Sequence, residues 1–408
     1  MLYYPPFACS GRSIYGNDPR GLGTTHTPES SHVTNACTGV ADRAFIQWSI
    51  TRRDRGDACC SRSTRMRTVI AILCVLLICP SVSGQSLRDA VRSGDVQAVK
   101  KLLDSGVDVN ETYDNKVTAI FAASEPSVVD LLISRGARLD GRSAATRRSA
   151  IEKAAENYYL RENEREKWKL IAEKLRDGGA EYTIETAIYL NDIPFVKEKM
   201  QSGGTWINSA GDAQSVPLRL AAETGRFEIC KLLLDHGADP DSFADGIGYP
   251  IMIDAVRHPE IVKLLIDRGA NLKRRITWLG GRSGIWIVGD EATALHYAVS
   301  SGNLKSVQLL LEAGMDPSAA DDKGQPPLHI AIIFERWERD NQRDATKFPA
   351  IVELLLKHDA SIRFEDKEGR TPIELARKVK SSDEIRYALR KKQEELSDEL
   401  QLWRAKNK

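Results

Sequence analysis

The chain has 408 residues, with 58 Lys and Arg against 57 Asp and Glu, a net charge of +1. That length suits one long repeat stack or about two or three globules, and the near-neutral balance argues against a strongly basic nucleic-acid binder. Seven cysteines are present, but Cys9, Cys37, Cys59, Cys60, Cys74 and Cys79 precede the repeating body and leave Cys230 alone in it, so no disulfide framework can form there.

Residues 1–65 hold eight Arg, no Lys and five acids, and show neither helical nor strand periodicity. They read either as a disordered extension or as an over-extended reading of the gene, with translation starting at Met66. From Met66 the pattern changes. Arg67 precedes an eleven-residue apolar run, Val69 to Cys79, and small residues Val82 and Gly84 then frame a cleavage site before Gln85. Residues 66–84 are therefore expected to be a signal peptide, since a membrane span needs about 17–25 apolar residues. Ile78 is a poor lipobox residue before Cys79. The expected location is periplasmic or secreted. A retained anchor, or a cytoplasmic protein with an unused signal, are the alternatives.

From Ser86 onward, 49 basic and 52 acidic residues are well mixed. Leu102-Leu103-Asp104-Ser105-Gly106 closes a first unit, Thr118 to Ala137 forms a second, and Ser149 to Ala180 a third, split by a charged, aromatic extension from Tyr158 to Trp168. A fourth unit runs from Thr186 to Gly203. The pattern then sharpens. Val216-Pro217-Leu218-Arg219-Leu220-Ala221 leads to Leu232-Leu233-Leu234-Asp235-His236-Gly237-Ala238-Asp239, and Pro250 follows Pro217 by 33 residues. Thr293-Ala294-Leu295-His296-Tyr297-Ala298 returns 33 residues later as Pro326-Pro327-Leu328-His329-Ile330-Ala331. A last unit opens at Thr371-Pro372-Ile373-Glu374.

Each feature of this pattern has a local cause. Proline fits a first helical turn, where its missing N–H costs nothing. The leucine run gives a second helix its buried stripe. Glycine after the run takes the left-handed conformation that ends a helix. Pro126, Pro194 and Pro259 precede second helices as start signals. Asp254 stands where other units have Ala221 and Ala298, and Asp359 replaces the terminal glycine. No unit can bury its apolar face alone, so neighbours must stack.

The motif resembles the ankyrin-repeat family, whose signature is Thr-Pro-Leu-His-x-Ala followed by paired helices and Gly-Ala-Asp. The resemblance covers about Ser86 to Lys392. It implies an all-α solenoid over 86–381, with about nine stacked helix pairs and short β-turn or hairpin fingers. Five of the pairs are degenerate. Residues 382–408 then read as a capping helix, with Ile385, Leu389, Leu396, Leu400 and Trp403 as its apolar positions.

The family also implies a structural role for His296 and His329, hydrogen-bonding the turn backbone. Helices stacked ~8–10 Å apart cannot bring two such histidines within the ~4 Å that a shared zinc demands. His236 and His358 read as exposed cations at helix ends, and Cys230 as a small core residue. The glycine-rich stretch Gly280 to Gly284 lacks the Lys-Ser/Thr of a nucleotide loop. No catalytic residue, metal site or cofactor is expected, and the chain reads as a non-enzyme.

The connection between the sixth and seventh units is longer, 44 residues motif to motif in place of 33. Its β-rich runs around Gly280 predict a hairpin, with Arg275, Trp278, Arg282 and Trp286 either meeting a partner or packing on themselves. Phe334, Arg336 and Trp337 extend the first helix of the eighth unit with residue types common at interfaces. In the family, partners contact finger tips and first-helix ends, which map here onto Asp322, Lys323 and Gln325; Lys367 and Arg370; Glu223 and Thr224; Val256 and Arg257; Ser300 and Ser301. The expected function is a protein-binding scaffold with an unidentified protein partner, present as a monomer or in that complex, without nucleic acid and without membrane insertion once the signal is removed. A regulator of one enzyme in the same compartment, or an enzyme with its site in the insertions, are the rival readings.

Overall fold

The structure is a computed structural model that describes residues 86–203, 205–209, 216–242, 250–276 and 288–406. The expectations for the extension 1–65 and the signal 66–84 lie outside these residues, as do Trp278, Arg282 and Trp286.

The described helices come as nine pairs. They are α1 Leu87–Ser93 with α2 Val96–Asp104, α3 Ala119–Ala122 with α4 Pro126–Ser134, and α5 Ala150–Leu160 with α6 Arg165–Asp177. Next are α7 Ile184–Leu190 with α8 Ile193–Gln201, α9 Pro217–Glu223 with α10 Phe227–Asp235, and α11 Ile251–Ala255 with α12 Pro259–Asp267. The last three are α13 Ala294–Ser301 with α14 Leu304–Glu312, α15 Pro327–Asp340 with α16 Lys347–Lys357, and α17 Pro372–Lys378 with α18 Asp383–Lys406. First helices stack on first helices along the whole series, and each first helix packs on its own second helix.

Local chemistry sets the helix ends. Ser86 and Asp95 accept backbone N–H bonds at the starts of α1 and α2, satisfying donors that the helix leaves orphaned. Ser149 with Glu152 and Thr371 with Glu374 form reciprocal capping boxes. Pro126, Pro194 and Pro259 stand in the first turns of α4, α8 and α12. At the far end of the second helices, Gly106, Gly136, Gly237, Gly269 and Gly314 have φ between 80° and 91°. The residue after each donates back into the last turn, as Ala238 N does to Leu233 O at 2.9 Å. Asp359 holds φ 63° at this slot, a conformation that glycine adopts without cost.

A repeated latch joins units. Asn110 Nδ2 donates to Gly136 O at 3.0 Å while its Oδ1 accepts from Arg138 N at 2.7 Å. Asn208 does the same to Gly237 O and Asp239 N, at 3.1 and 2.9 Å. Asn110 opens an Asn-x-Thr glycan acceptor sequence, but both ends of its side-chain amide are committed to the latch.

The apolar core divides in two. One cluster runs from Leu87 to Ala180 and includes Val91, Val128, Leu132, Ile151, Trp168 and Leu175. The other runs from Ala155 and Ala187 to Leu389 and includes Ile188, Leu218, Leu233, Leu265, Leu310, Phe348 and Leu355. Tyr182 and Leu190 pack against both. Cys230 is fully buried in the second cluster, and burial pushes its thiol up to about 12, which suits a small apolar residue.

No strand is formed among the described residues, and the hairpin expected around Gly280 lies outside them. The base of the long connection is closed by Ile276 N to Ala292 O and Glu291 N to Ile276 O, both 3.0 Å. In α18, Ile385, Ala388 and Leu389 are buried and Leu396 is partly covered. Leu400 and Trp403, expected on the same apolar stripe, are 42% and 63% exposed, because the 24-residue helix outruns the stack that would cover them.

Candidate partner-binding surface

The histidines serve the scaffold. His296 is fully buried; its Nδ1 lies 2.8 Å from Thr293 Oγ1 and accepts from Thr293 N at 3.1 Å, while Nε2 meets Gln325 O at 2.9 Å. His329 Nε2 meets Arg370 O at 2.9 Å in the same way. Each ring thus ties its own helix start to the next finger. Burial drives His296 down to about 4, so the ring is neutral at pH 7 and Nε2 is the donor. His236 is bonded within its helix end, Nδ1 lying 2.8 Å from Leu232 O.

Buried aspartates shape the fingers. Asp321 Oδ1 accepts from Lys323 N at 2.9 Å and Gln325 N at 2.8 Å, and Oδ2 from Gly289 N at 2.8 Å. A Cβ at Gly289 would meet the Asp321 and Asp322 carboxylates, so a larger residue there requires both side chains to shift. Asp366 Oδ1 repeats the pattern with Glu368 N and Arg370 N, both at 2.9 Å. Fingers are joined by Asp322 N to Asp290 O at 2.7 Å and Lys367 N to Lys323 O at 3.2 Å.

The expected contact residues separate by exposure. Glu223, Arg257, Asp322 and Lys367 are exposed, and Arg275, Lys323, Arg336, Trp337, Arg370 and Ser301 are half-buried. Five are buried and cannot meet a partner in this conformation: Thr224, Val256, Ser300, Gln325 and Phe334. Thr224 Oγ1 and Ser300 Oγ donate to their own helix carbonyls, Leu220 O at 2.6 Å and Tyr297 O at 3.0 Å. Phe334 stacks edge-on against Trp337, centroids 5.9 Å apart, so it is a core residue of the α15 extension. Arg275 clamps the long connection, Nη1 donating to Glu291 O at 3.0 Å and Ala320 O at 2.7 Å. Arg370 is tied to Asp366 and Glu368.

The α15 extension is less solvated than its charges suggest. Glu335 and Glu338 are 1% and 2% exposed. Glu335 Oε1 accepts from Ser382 N at 3.3 Å and pairs with Arg339 at 3.2 Å, which fixes the start of α18.

The third to sixth units hold a polar network that the motif reading passed over. Arg148 is ion-paired with Glu156, and its Nη2 lies 3.4 Å from Tyr189 Oη. Tyr159 packs on Tyr189 at 6.2 Å and donates to Glu223 O at 3.2 Å. Arg226 donates to Ile188 O at 3.2 Å and Tyr189 O at 2.5 Å, with its guanidinium 5.8 Å from the centre of the Tyr159 ring. Arg219 Nε donates to Asp254 Oδ2 at 2.8 Å. Burial raises Asp254 to about 7 against the opposing pull of Arg219. The legible signals were Asp254 in an alanine slot and the adjacent Tyr158 and Tyr159; nothing in the chain pattern placed Arg226 beside them.

Among the described residues no group of three or more His, Cys, Asp or Glu could hold a metal ion, and no helix is long and apolar enough to cross a membrane. Family models for ankyrin repeats match residues 184–276, three copies, and 295–339. The chain thus carries ankyrin repeats within 184–276 and 295–339, and these repeats point to protein partners.

It is similar to Ankyrin repeat protein nuc-2 of Neurospora crassa, 37% identical over 32% of this chain and 11% of that protein. It is also similar to E3 ubiquitin-protein ligase KEG of Arabidopsis thaliana, 29% identical over 32% of this chain and 8% of the relative. A third relative is Palmitoyltransferase ZDHHC13 of Homo sapiens, 30% identical over 35% of this chain and 27% of the relative. The chain thus spans little more than a quarter of any of these three, and the likeness to the ligase and the transferase is to their ankyrin regions.

Proposed function

We propose that the chain is a non-enzymatic scaffold that holds one protein partner across its fingers and first-helix ends. The observation that carries this reading is the placement of Glu223 and Arg257 at the ends of α9 and α11, with Asp322 and Lys367 on successive fingers, all exposed. The fingers beneath are held by backbone bonds and buried aspartates. Side chains held on a rigid frame lose little freedom on binding, which favours shape and charge complementarity. His296 and His329 are buried and spent on the frame.

Export completes the reading, supported by the Met66-Arg67 start, the eleven-residue apolar run and the Val82-x-Gly84 site. N-terminal sequencing of the native protein tests it. Gln85 as first residue is the expected result, and a peptide upstream of Met66 overturns it. The scaffold reading is tested by affinity capture from the native compartment, followed by size-exclusion analysis. One stoichiometric protein lost on joint Asp322→Ala and Lys367→Ala substitution is expected. A partner held unchanged by the Asp322→Ala/Lys367→Ala protein moves the contact off the fingers. Comparison with Trp278→Ala/Trp286→Ala then tests the long connection separately.

A further inference from the structure

The first-helix face of the N-terminal units has an unusual population of cations over aromatic rings. Lys153 Nζ lies 4.8 Å from the centre of the Phe121 ring, Arg165 lies 6.0 Å from that of Tyr158, and Arg226 lies 5.8 Å from that of Tyr159. Arg161 lies 5.8 Å from the centre of Trp168. Such stacking holds a charge in place while leaving its polar edge open to a second group.

Two of these cations have only neutral partners among the described residues. Lys153 donates to Phe121 O at 2.6 Å, and Arg226 donates to the carbonyls of Ile188 and Tyr189. An ammonium has three N–H groups and a guanidinium five, so both keep donors in reserve. Arg92, at the end of α1, is exposed beside Lys153. Burial, then Arg92 and Arg161, push Lys153 down to about 8, with Glu156 opposing. Cations are thus crowded together here, although the body as a whole carries more acids than bases, 52 against 49.

We infer that the strip from Arg92 through Lys153 and Arg161 to Arg226 receives an extended, Asp- and Glu-rich segment of the protein partner. The inference rests on the scaffold reading and specifies the partner's chemistry. Stacked helices repeat every ~8–10 Å, so the first, third and fifth units that supply these cations stand about 16–20 Å apart, and every sixth residue of an extended chain advances about 20 Å. A segment with acids at alternate positions has a carboxylate at each such interval, while the aromatic rings cover the apolar stems. A protein segment fits better than a nucleic-acid backbone, because Glu156 and Glu223 stand among the cations and would repel an unbroken row of phosphates. Discrete carboxylates can pass between them.

The test uses the full chain and a fluorescein-labelled peptide of alternating Glu and Ser, about twelve residues long, followed by fluorescence anisotropy. The matching Lys–Ser peptide, an oligothymidylate of similar length and vesicles containing phosphatidylserine are measured beside it. The expected result is saturable binding of the Glu peptide alone, weakened about tenfold or more between about 50 and 300 mM salt. Arg92→Gln with Arg161→Gln, both exposed, should weaken it at least about threefold, with a melting curve to separate this from the loss of the Arg161 pair with Glu164. Adding Lys153→Gln should weaken it further, with the melting curve checked in parallel. Lys305→Gln on α14 should leave binding unchanged.

Equal binding by the Arg92→Gln/Arg161→Gln protein, or equal weakening by Lys305→Gln, overturns the inference. So does tighter capture of the oligothymidylate, or sedimentation with the vesicles. A native partner that still co-purifies with the Arg92→Gln/Arg161→Gln protein refutes the acidic strip and leaves the scaffold standing, whereas wild-type protein without any stoichiometric partner refutes the scaffold.

Discussion

The third unit, in the N-terminal core, and the seventh, in the C-terminal core, solve the same joining problem with different residues. In the seventh unit His296 bonds back to Thr293 and forward to Gln325 O, and in the eighth His329 keeps the forward bond alone, to Arg370 O, because Pro326 at its helix start has no N–H to offer. In the third unit Glu152 occupies this slot. Its carboxylate accepts from Ser149 N at 2.9 Å, from Arg142 at 3.0 Å and from Thr183 Oγ1 of the next unit at 3.4 Å. A carboxylate can replace an imidazole because the slot demands a buried group that bridges two units, not a particular side chain. The lesson is that a unit degenerate in motif need not be degenerate in structure, and it explains why family models match only within 184–339 while the stack begins at α1.

The two regions also keep separate cores, and the largest predicted effect follows from that. Leu132→Ala and Leu233→Ala remove fully buried side chains from the first and second clusters, each costing about 2–5 kcal/mol. Because repeats stabilise only their neighbours, hydrogen exchange should rise in units one to three for Leu132→Ala and in units four to six for Leu233→Ala. Uniform loss of protection along the whole stack in either variant would break the division.

The bridging equivalence is next in size. Glu152→Ala and His296→Ala should each lose about 1–3 kcal/mol in chemical denaturation, since each leaves buried donors or acceptors unpaired. A negligible loss for Glu152→Ala would show that the third unit is held by other means.

Acidity sharpens the contrast, because two strongly shifted groups lie in the C-terminal region. His296 falls from 6.5 to about 4 on folding. The unfolded chain therefore takes up the proton first, and the stability linked to His296 is full above pH 6.5 and lost as pH falls toward 4. Asp254 rises from 3.8 to about 7, so its contribution is full below 3.8 and lost as pH rises through 7. Asp254→Asn should thus be more stabilising, relative to the parent, at pH 8 than at pH 5, by on the order of 2 kcal/mol. Equal effects at the two pH values would show that Asp254 is already ionised without penalty beside Arg219.

The smallest effect concerns Asp359, left-handed at φ 63° where other units have glycine. Asp359→Gly should raise stability by about 0.5–1 kcal/mol and the melting temperature accordingly. No gain would mean that the 3.7 Å pair with Lys392 offsets the backbone strain.

Much of the scaffold could be read from short stretches of chain. Pro126, Pro259 and Pro372 mark helix starts, glycines mark second-helix ends, and the leucine runs mark buried stripes. The backbone roles of His296 and His329 followed from the family motif. The contact surface was less legible. Thr224, Val256, Ser300, Gln325 and Phe334 stand at positions that the family exposes or that resemble interface vocabulary, yet neighbouring units cover them here. Exposure depends on how far each adjacent unit overlaps, and a motif does not encode that overlap. The same limit hid the network around Tyr159, whose members Arg148, Tyr189, Glu223 and Arg226 lie 11 to 67 residues from it in sequence.

Period, caps and turns belong to chemistry within a few residues, where steric and hydrogen-bonding rules act regardless of what lies above or below. Those rules made this a stack of paired helices. Which cations keep a carboxylate, which stand over rings with only carbonyls for company, and where one core stops and the next begins depend on contacts between units. Such contacts exist only once the units are piled together, because burial and charge balance are properties of the assembled surface.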